Sequence, residues 1–132
     1  MAESDLAAAR KLWSAVEGVE LAEGDSLKSL VAYLRRNPGT SQVAIANDRV
    51  VGAVLAGHDG RRGFLYHLAV AADNRGKSIG RSLVKKSPSA LKTRGVVRVL
   101  LLVDRENPAG LSFWRHCGWD ALDFAQPMGI DL

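Results

Sequence analysis

Val70-Ala-Ala-Asp-Asn-Arg75-Gly-Lys-Ser-Ile-Gly80-Arg81 carries the chain from an apolar, strand-like run directly into a helical pattern. Phe64 to Val70 reads as strand, and Ile79 to Thr93 follows helical spacing. A helix beginning here presents unpaired backbone N–H groups and a partial positive charge, which favours a phosphate. Gly76 and Gly80 permit close backbone approach, while Arg75, Lys77 and Arg81 add positive side chains. Eight Lys or Arg residues and no Asp or Glu fall between Arg75 and Arg98. The plain alternative is an ordinary β-to-α turn with solvated charges. The coincidence of strand, glycines, basic side chains and helix start argues against it. The segment matches neither the P-loop pattern nor the G-x-G-x-x-G dinucleotide fingerprint.

Working outward, the chain before this stretch is helical and then β-like. Ser4-Asp5 can cap a helix with Leu6, Ala9, Leu12, Trp13 and Val16 on its apolar face. A second helix is expected over Ser26 to Arg36, stopped by Asn37-Pro38-Gly39. Gln42 to Ala46, Val50 to Ala56 and Phe64 to Val70 form three strands joined by the turns Asn47-Asp48 and His58 to Gly63, an antiparallel meander. Beyond the helix from Ile79, Gly95 is a stop and Val96 to Val103 an apolar strand. Asn107-Pro108 opens a last helix ending at Gly118, and Asp120 to Leu132 is expected to supply one or two closing strands. Pro88 predicts a kink or break near Lys86–Ser87. The order α-α-β-β-β-α-β-α-β describes an α/β (α+β) domain, a mixed sheet with packed helices.

Bulk composition narrows the class. At 132 residues, the sequence reads as a single domain, 1–132, with enough chain to bury a core. No apolar run approaches a membrane span, and the acidic, polar start does not resemble a signal peptide. The lone Cys117 excludes an internal disulfide and a Cys-based zinc cluster, and suits a reducing cytoplasm. No metal is expected. A net charge of +4 attracts polyanions without saying which. The basic stretch lacks the aromatic platform of single-strand binders, so nucleic acid is the weakest partner reading.

Leu68-Ala69-Val70 followed by Arg75-Gly76-Lys77-Ser78-Ile79-Gly80-Arg81 resembles the acetyl-CoA motif of the GNAT (GCN5-related) N-acetyltransferase superfamily. A second family motif is echoed by Asn107-Pro-Ala-Gly-Leu-Ser-Phe-Trp114-Arg-His-Cys-Gly118-Trp119, and the run from Gly57 to Val70 is similar to the small bacterial YpeA-like subgroup. The resemblance covers residues 42 to 132. It implies an acyl-CoA N-acyltransferase-like fold with a mostly antiparallel central sheet flanked by helices. Against that pattern, the usual N-terminal first strand is expected to be missing, which would leave an edge that a homodimer partner can cover. It implies transfer of an acetyl group from acetyl-CoA, as co-substrate, to a primary amine on a small molecule or peptide. Backbone amides across residues 76–81 would cradle the diphosphate, with Leu68, Ala69, Val70, Arg75 and Asn107 also on the coenzyme. The Val70 N–H would polarise the thioester carbonyl. It also implies that the strand Phe64–Val70 diverges from Val96–Val103, with pantetheine in the gap.

Three departures bear on chemistry. Ser78 replaces the first motif glycine. Trp114 stands where many members carry the tyrosine that reprotonates the thiolate, and an indole N–H cannot take that role. Leu102 and Asp104 occupy the strand end where some members place a glutamate base. Strict alternation would put Phe64, Tyr66, Leu68 and Val70 on one face and Leu65, His67 and Ala69 on the other. Tyr66 is therefore the first candidate to orient a water or act as acid. His67 has the better intrinsic pKa for a base but is turned towards a helix. The acceptor surface implied by the resemblance carries Trp13, Tyr33, Arg35 and Arg36. The alternative reading, from a different class, is a catalytically weak or inert acyl-CoA-binding regulatory module.

Overall fold

The computed structural model describes residues 1–132, which fall into two compact units, Met1–Leu102 and Val103–Leu132. In the first, helices α1 (Leu6–Ala15) and α2 (Leu27–Arg36) precede strands β1 (Gln42–Ala46), β2 (Arg49–His58) and β3 (Gly63–Val70). Helix α3 (Ile79–Lys92) and the short strand β4 (Val99–Leu100) follow. The sheet order is β1-β2-β3-β4, antiparallel across the first three strands and parallel between β3 and β4. The expected mixed sheet with helices on it is thus what forms.

Local chemistry explains the turns. Asn47 and Asp48 have φ of 49° and 58°, the pair of left-handed residues that a two-residue hairpin requires. Asp59 Oδ1 accepts from the amides of Arg61 and Arg62, fixing the β2–β3 turn and holding the Asp59 carboxyl below its usual range. Ser26 caps α2, its hydroxyl accepting from the Ser29 amide. Ser4-Asp5 does not cap α1. Glu3–Asp5 is a turn of 3-10 helix, and the Asp5 carboxylate instead accepts from the Ala2 amide.

The sheet has a helix layer on each face. Ala53, Leu55 and Ala69 pack with Leu6, Ala9, Trp13, Leu30 and Leu34 of α1 and α2. On the other face α3 lies against β2, and Gly52 makes this possible. A β-carbon there would come within 2.8 Å of Ile79 Cγ2 and 3.0 Å of Leu83 Cδ1.

Three expectations need correcting. Helix α3 runs unbroken through Pro88. The proline forfeits one hydrogen bond, but Ser89 Oγ donates to the Lys85 carbonyl at 2.8 Å, and Ser87 just before it and Leu91 in the turn after it are both fully buried, Leu91 against Gly63 of β3. The strand expected over Val96–Val103 shrinks to Val99–Leu100, paired with Gly63 and Phe64. Val96 is buried, whereas Val97 is 94% exposed and Leu102 66%, so apolar composition there did not mean pairing.

The second unit holds α4 (Pro108–His116) and no strand, so the closing strands expected over Asp120–Leu132 do not form. Phe124, Met128 and Ile130 are each exposed, with too little buried against them to order a ladder. No helix is long and apolar enough to cross a membrane.

Candidate functional site

The loop from Val70 to α3 is built by backbone strain and unpaired amides. A 3-10 turn over Ala72–Asn74 leads to Gly76 at φ 75° and Ser78 at φ 61°. Ser78 is the N-cap of α3, yet its hydroxyl makes no capping bond. The first helical bond here is Ser82 N–H to the Ser78 carbonyl. None of the backbone amides from Gly76 to Arg81 donates to another protein group. Arg75 bends back, its Nε donating to the Val70 carbonyl at 3.4 Å, while Lys77 and Arg81 are exposed. The result is a run of free N–H groups at the positive end of a 14-residue helix, with no carboxylate on that helix. A cavity of about 240 Å³ lies beside it, between β1 and α3, where Lys77, Ile79 and Lys86 meet Val43 and Ala44.

Strand β3 does not keep strict alternation. Tyr66 pairs with Leu55 and Ala69 with Ala53, so His67 and Leu68 together face Val54 alone. This is a β-bulge, with His67 at φ 53°. The expected faces are therefore revised. Phe64 and Tyr66 lie towards α1 and α2, their rings stacked 4.8 Å apart, with Tyr33 edge-on to Tyr66 at 6.4 Å. Val70, paired with Gly52, points instead towards α3. Leu65 points towards α3, while Ala69 and His67 lie on the α1 face with Tyr66.

The backbone of Val70 is informative. The Ala71 amide donates to Val51, which makes the neighbouring Val70–Gly52 pair the outward-facing kind. The Val70 N–H and C=O hence point away from β2. On that side β4 pairs only with Gly63 and Phe64, so from Leu65 onward β3 has no strand partner there.

Around Tyr66 the environment is apolar on one side and open on the other. Tyr66 is 41% exposed, and burial of the remainder raises its phenol above the ordinary value. Burial first, and the neighbouring Tyr66 second, raise Tyr33 further. Both remain neutral phenols at pH 7, suited to donating a hydrogen bond rather than to acting as bases. Of the expected acceptor surface, Trp13 is fully buried in the core and Arg35 pairs with Glu3 at 2.7 Å, leaving Tyr33 and Arg36.

In the second unit, Asn107 is a cap. Its Oδ1 accepts from the Gly110 amide at 2.9 Å at the start of α4. Trp114 is half-buried and sits 5.3 Å from Trp119, edge to face. Gly118, at φ 86°, ends the helix in a Schellman arrangement: Trp119 N–H donates to the Trp114 carbonyl and Gly118 N–H to that of Arg115. The Trp114–Trp119 contact is the apolar pair that accompanies such a stop. Asp104 is engaged locally, accepting from the Glu106 amide. No group of His, Cys, Asp and Glu side chains is arranged to hold a metal ion.

One pair escaped the sequence reading. His67 Nε2 lies 3.0 Å from Asp25 Oδ1, with the His67 ring 5.3 Å from Trp13. Asp25 belongs to the α1–α2 loop, far away in sequence, and no local pattern links the two.

Residues 6–119 match the acetyltransferase (GNAT) family. An acetyltransferase of Pectobacterium atrosepticum is 32% identical over 90 residues, which are 68% of this chain and 64% of that protein. One from Sodalis glossinidius is 31% identical over 99 residues, 75% of this chain and 70% of the other. The chain therefore spans about two thirds of the length of these relatives. Among solved structures, AAC(6')-Iy in complex with the bisubstrate analogue CoA-S-monomethyl-acetylneamine is similar in fold. It has a TM-score of 0.77 at 14% identity, covering 100% of this chain and 95% of the other. With the family match extending from α1 through the end of α4, this chain belongs to the GNAT acetyltransferase family.

Proposed function

We propose that the chain transfers an acetyl group from acetyl-CoA to a primary amine, by direct attack of the amine on the thioester in a ternary complex. One observation carries the reading: the unbroken run of unengaged amides from Gly76 to Arg81 at the start of α3. A diphosphate satisfies such a run better than water, because the amides and the helix dipole are already aimed. Arg75, Lys77 and Arg81 add screening of the phosphate charge, and Ser78 and Ile79 contribute amides.

The outward Val70 N–H is then the donor for the carbonyl oxygen as it gains negative charge. Leu68 and Ala69 bring the strand to that point. Tyr66, held neutral by burial, orients a water or gives a proton to the departing thiolate. Trp114 supplies packing without acid chemistry, and Asn107 acts through the start of α4, where its cap is formed. The amine acceptor is a small molecule or a peptide, and the solved neighbour bound to a CoA-linked neamine derivative supports a basic one. A cytoplasmic setting, a single domain over 1–132 and a homodimer covering the β1 edge belong to the same proposal.

Calorimetry with CoA and acetyl-CoA, beside a doubly reversed Arg75→Glu/Arg81→Glu variant, tests the coenzyme site. Binding to the native chain and a loss of at least about tenfold in the variant are expected, from two removed and reversed charge-assisted contacts. Equal behaviour of the two refutes it. Thiol release with a panel of amines then tests transfer. A second reading, a weak or inert acyl-CoA-binding module, is favoured by Trp114 and Leu102 at the positions where family members carry the usual acid and base. Under it, Trp114→Tyr creates turnover that the native chain lacks.

A further inference from the structure

His67 combines features that a purely structural residue does not need. Its backbone is left-handed, at φ 53°, a conformation that glycine adopts freely and histidine does not. That conformation swings the imidazole onto the face that carries Tyr66, rather than the opposite one. Asp25 Oδ1 meets its Nε2 at 3.0 Å, with side-chain exposures of 16% for His67 and 12% for Asp25. Asp25 is itself fixed: its Oδ2 accepts from the Ala22 amide at 2.9 Å and its carbonyl from Arg10 Nε at 2.9 Å. A carboxylate only accepts, so the neutral ring carries its proton on Nε2 and its lone pair on Nδ1. Nδ1 has no protein partner and is not among the buried unpaired atoms, so it meets solvent.

Asp25 brings a negative charge to the imidazole, and the Tyr66 ring, with Tyr33 edge-on to it, lies 6.3 Å from the imidazole ring. Arg10 donates its Nε to the Asp25 backbone carbonyl and keeps its charge at the exposed rim of this cluster. We infer that His67, oriented by Asp25, is the general base that deprotonates a cationic primary-amine acceptor. The inference rests on the acetyl-transfer reading above. Nδ1 takes one proton from the ammonium, and the freed nitrogen lone pair forms the C–N bond to the thioester carbonyl. As the C–S bond breaks, the second proton of that nitrogen passes through water to the sulfur, giving CoA thiol. The proton on His67 returns to solvent, so one proton is released per transfer.

The test uses the full chain, acetyl-CoA, and a panel of primary amines. In His67→Gln, kcat is expected to fall about 100-fold or more with acetyl-CoA affinity unchanged by calorimetry. The acid limb of kcat/KM against pH disappears, and free imidazole restores turnover at least about tenfold in His67→Ala. Asp25→Asn, which keeps the loop's shape, lowers kcat by a smaller factor. In nitrogen-detected spectra the native ring is the Nε2–H tautomer, and Asp25→Asn mixes the two. Thermal melts of each variant separate misfolding from lost chemistry. Retention of more than a third of kcat in His67→Gln, a persisting acid limb, or an Nδ1–H tautomer overturns the assignment. So does a native chain that binds acetyl-CoA yet acetylates none of the amines. Absence of acetyl-CoA binding removes the parent reading, and the base with it.

Discussion

Replacing Ser78 with glycine removes a β-carbon from the residue that starts α3 in a left-handed conformation, φ 61° and ψ 15°. For an L-residue that conformation costs roughly 1–2 kcal/mol. Glycine returns roughly 0.4–1 kcal/mol of the gain through the extra freedom of the unfolded chain. No capping bond is lost, because the Ser78 hydroxyl makes none. The net expectation is a stabilisation of about 0.5–1 kcal/mol. With an unfolding entropy of roughly 2.1 cal/mol/K per residue, that raises Tm by about 2–4 °C. Calorimetric melts of the native chain, Ser78→Gly and Ser78→Ala measure it. The alanine variant keeps the strain and should stay within about 0.5 kcal/mol of the native chain. If Ser78→Gly melts at or below the native temperature, or Ser78→Ala rises as far, the strain argument is wrong. Coenzyme affinity adds a second axis, since only a hydroxyl bond to phosphate would make both variants bind more weakly than the native chain.

The close approach at Gly52 predicts that Gly52→Ala pushes Ile79 and Leu83 outward, destabilising by about 1–3 kcal/mol in urea titration. The same shift moves the start of α3, so acetyl-CoA affinity should fall with stability. Tyr33 gives a pH dependence. Its folded-state pKa is raised, so above pH 10 the unfolded chain ionises while the folded one stays protonated. The unfolded state then binds fewer protons, and stability falls as pH rises from 10 to 11. Urea midpoints across that range should drop in the native chain and drop less in Tyr33→Phe.

Much of the fold was legible because local signals were strong. Asn47-Asp48, Ser26, Asn107-Pro108 and Gly118 are turn and cap residues with a mechanism, and all mark real boundaries. The loop around Arg75 was legible for the same reason. What failed was extrapolation from periodicity. Phe64 to Val70 contains no glycine or proline to announce a bulge, so counting by two placed Val70 with Tyr66. The run Val96–Val103 is apolar but pairs over two residues, since pairing depends on where β3 goes and not on composition. The His67–Asp25 contact spans 42 positions and follows from tertiary packing of α1 on the sheet.

The bulge links these failures to the chemistry. Paired residue for residue from Tyr66 onward with no bulge, β3 would put Val70 opposite Val51, where Ala71 now donates its amide. Val70 would then spend its N–H on β2, inside the ladder. The extra residue of the bulge shifts the register by one and turns that N–H to the open edge, at the strand end that leads into the loop before α3. The same residue, in its left-handed conformation, brings the imidazole onto the face of Tyr66 and against Asp25. A regular β3 would leave Leu65, before the bulge, on its face, and would turn the small Ala69, beyond it, out of the α1 and α2 core. It would lose both the free amide and the oriented base at once. Backbone strain at a single histidine is thus tied to the two groups on which the proposed acetyl transfer depends, which is where such strain is expected to persist.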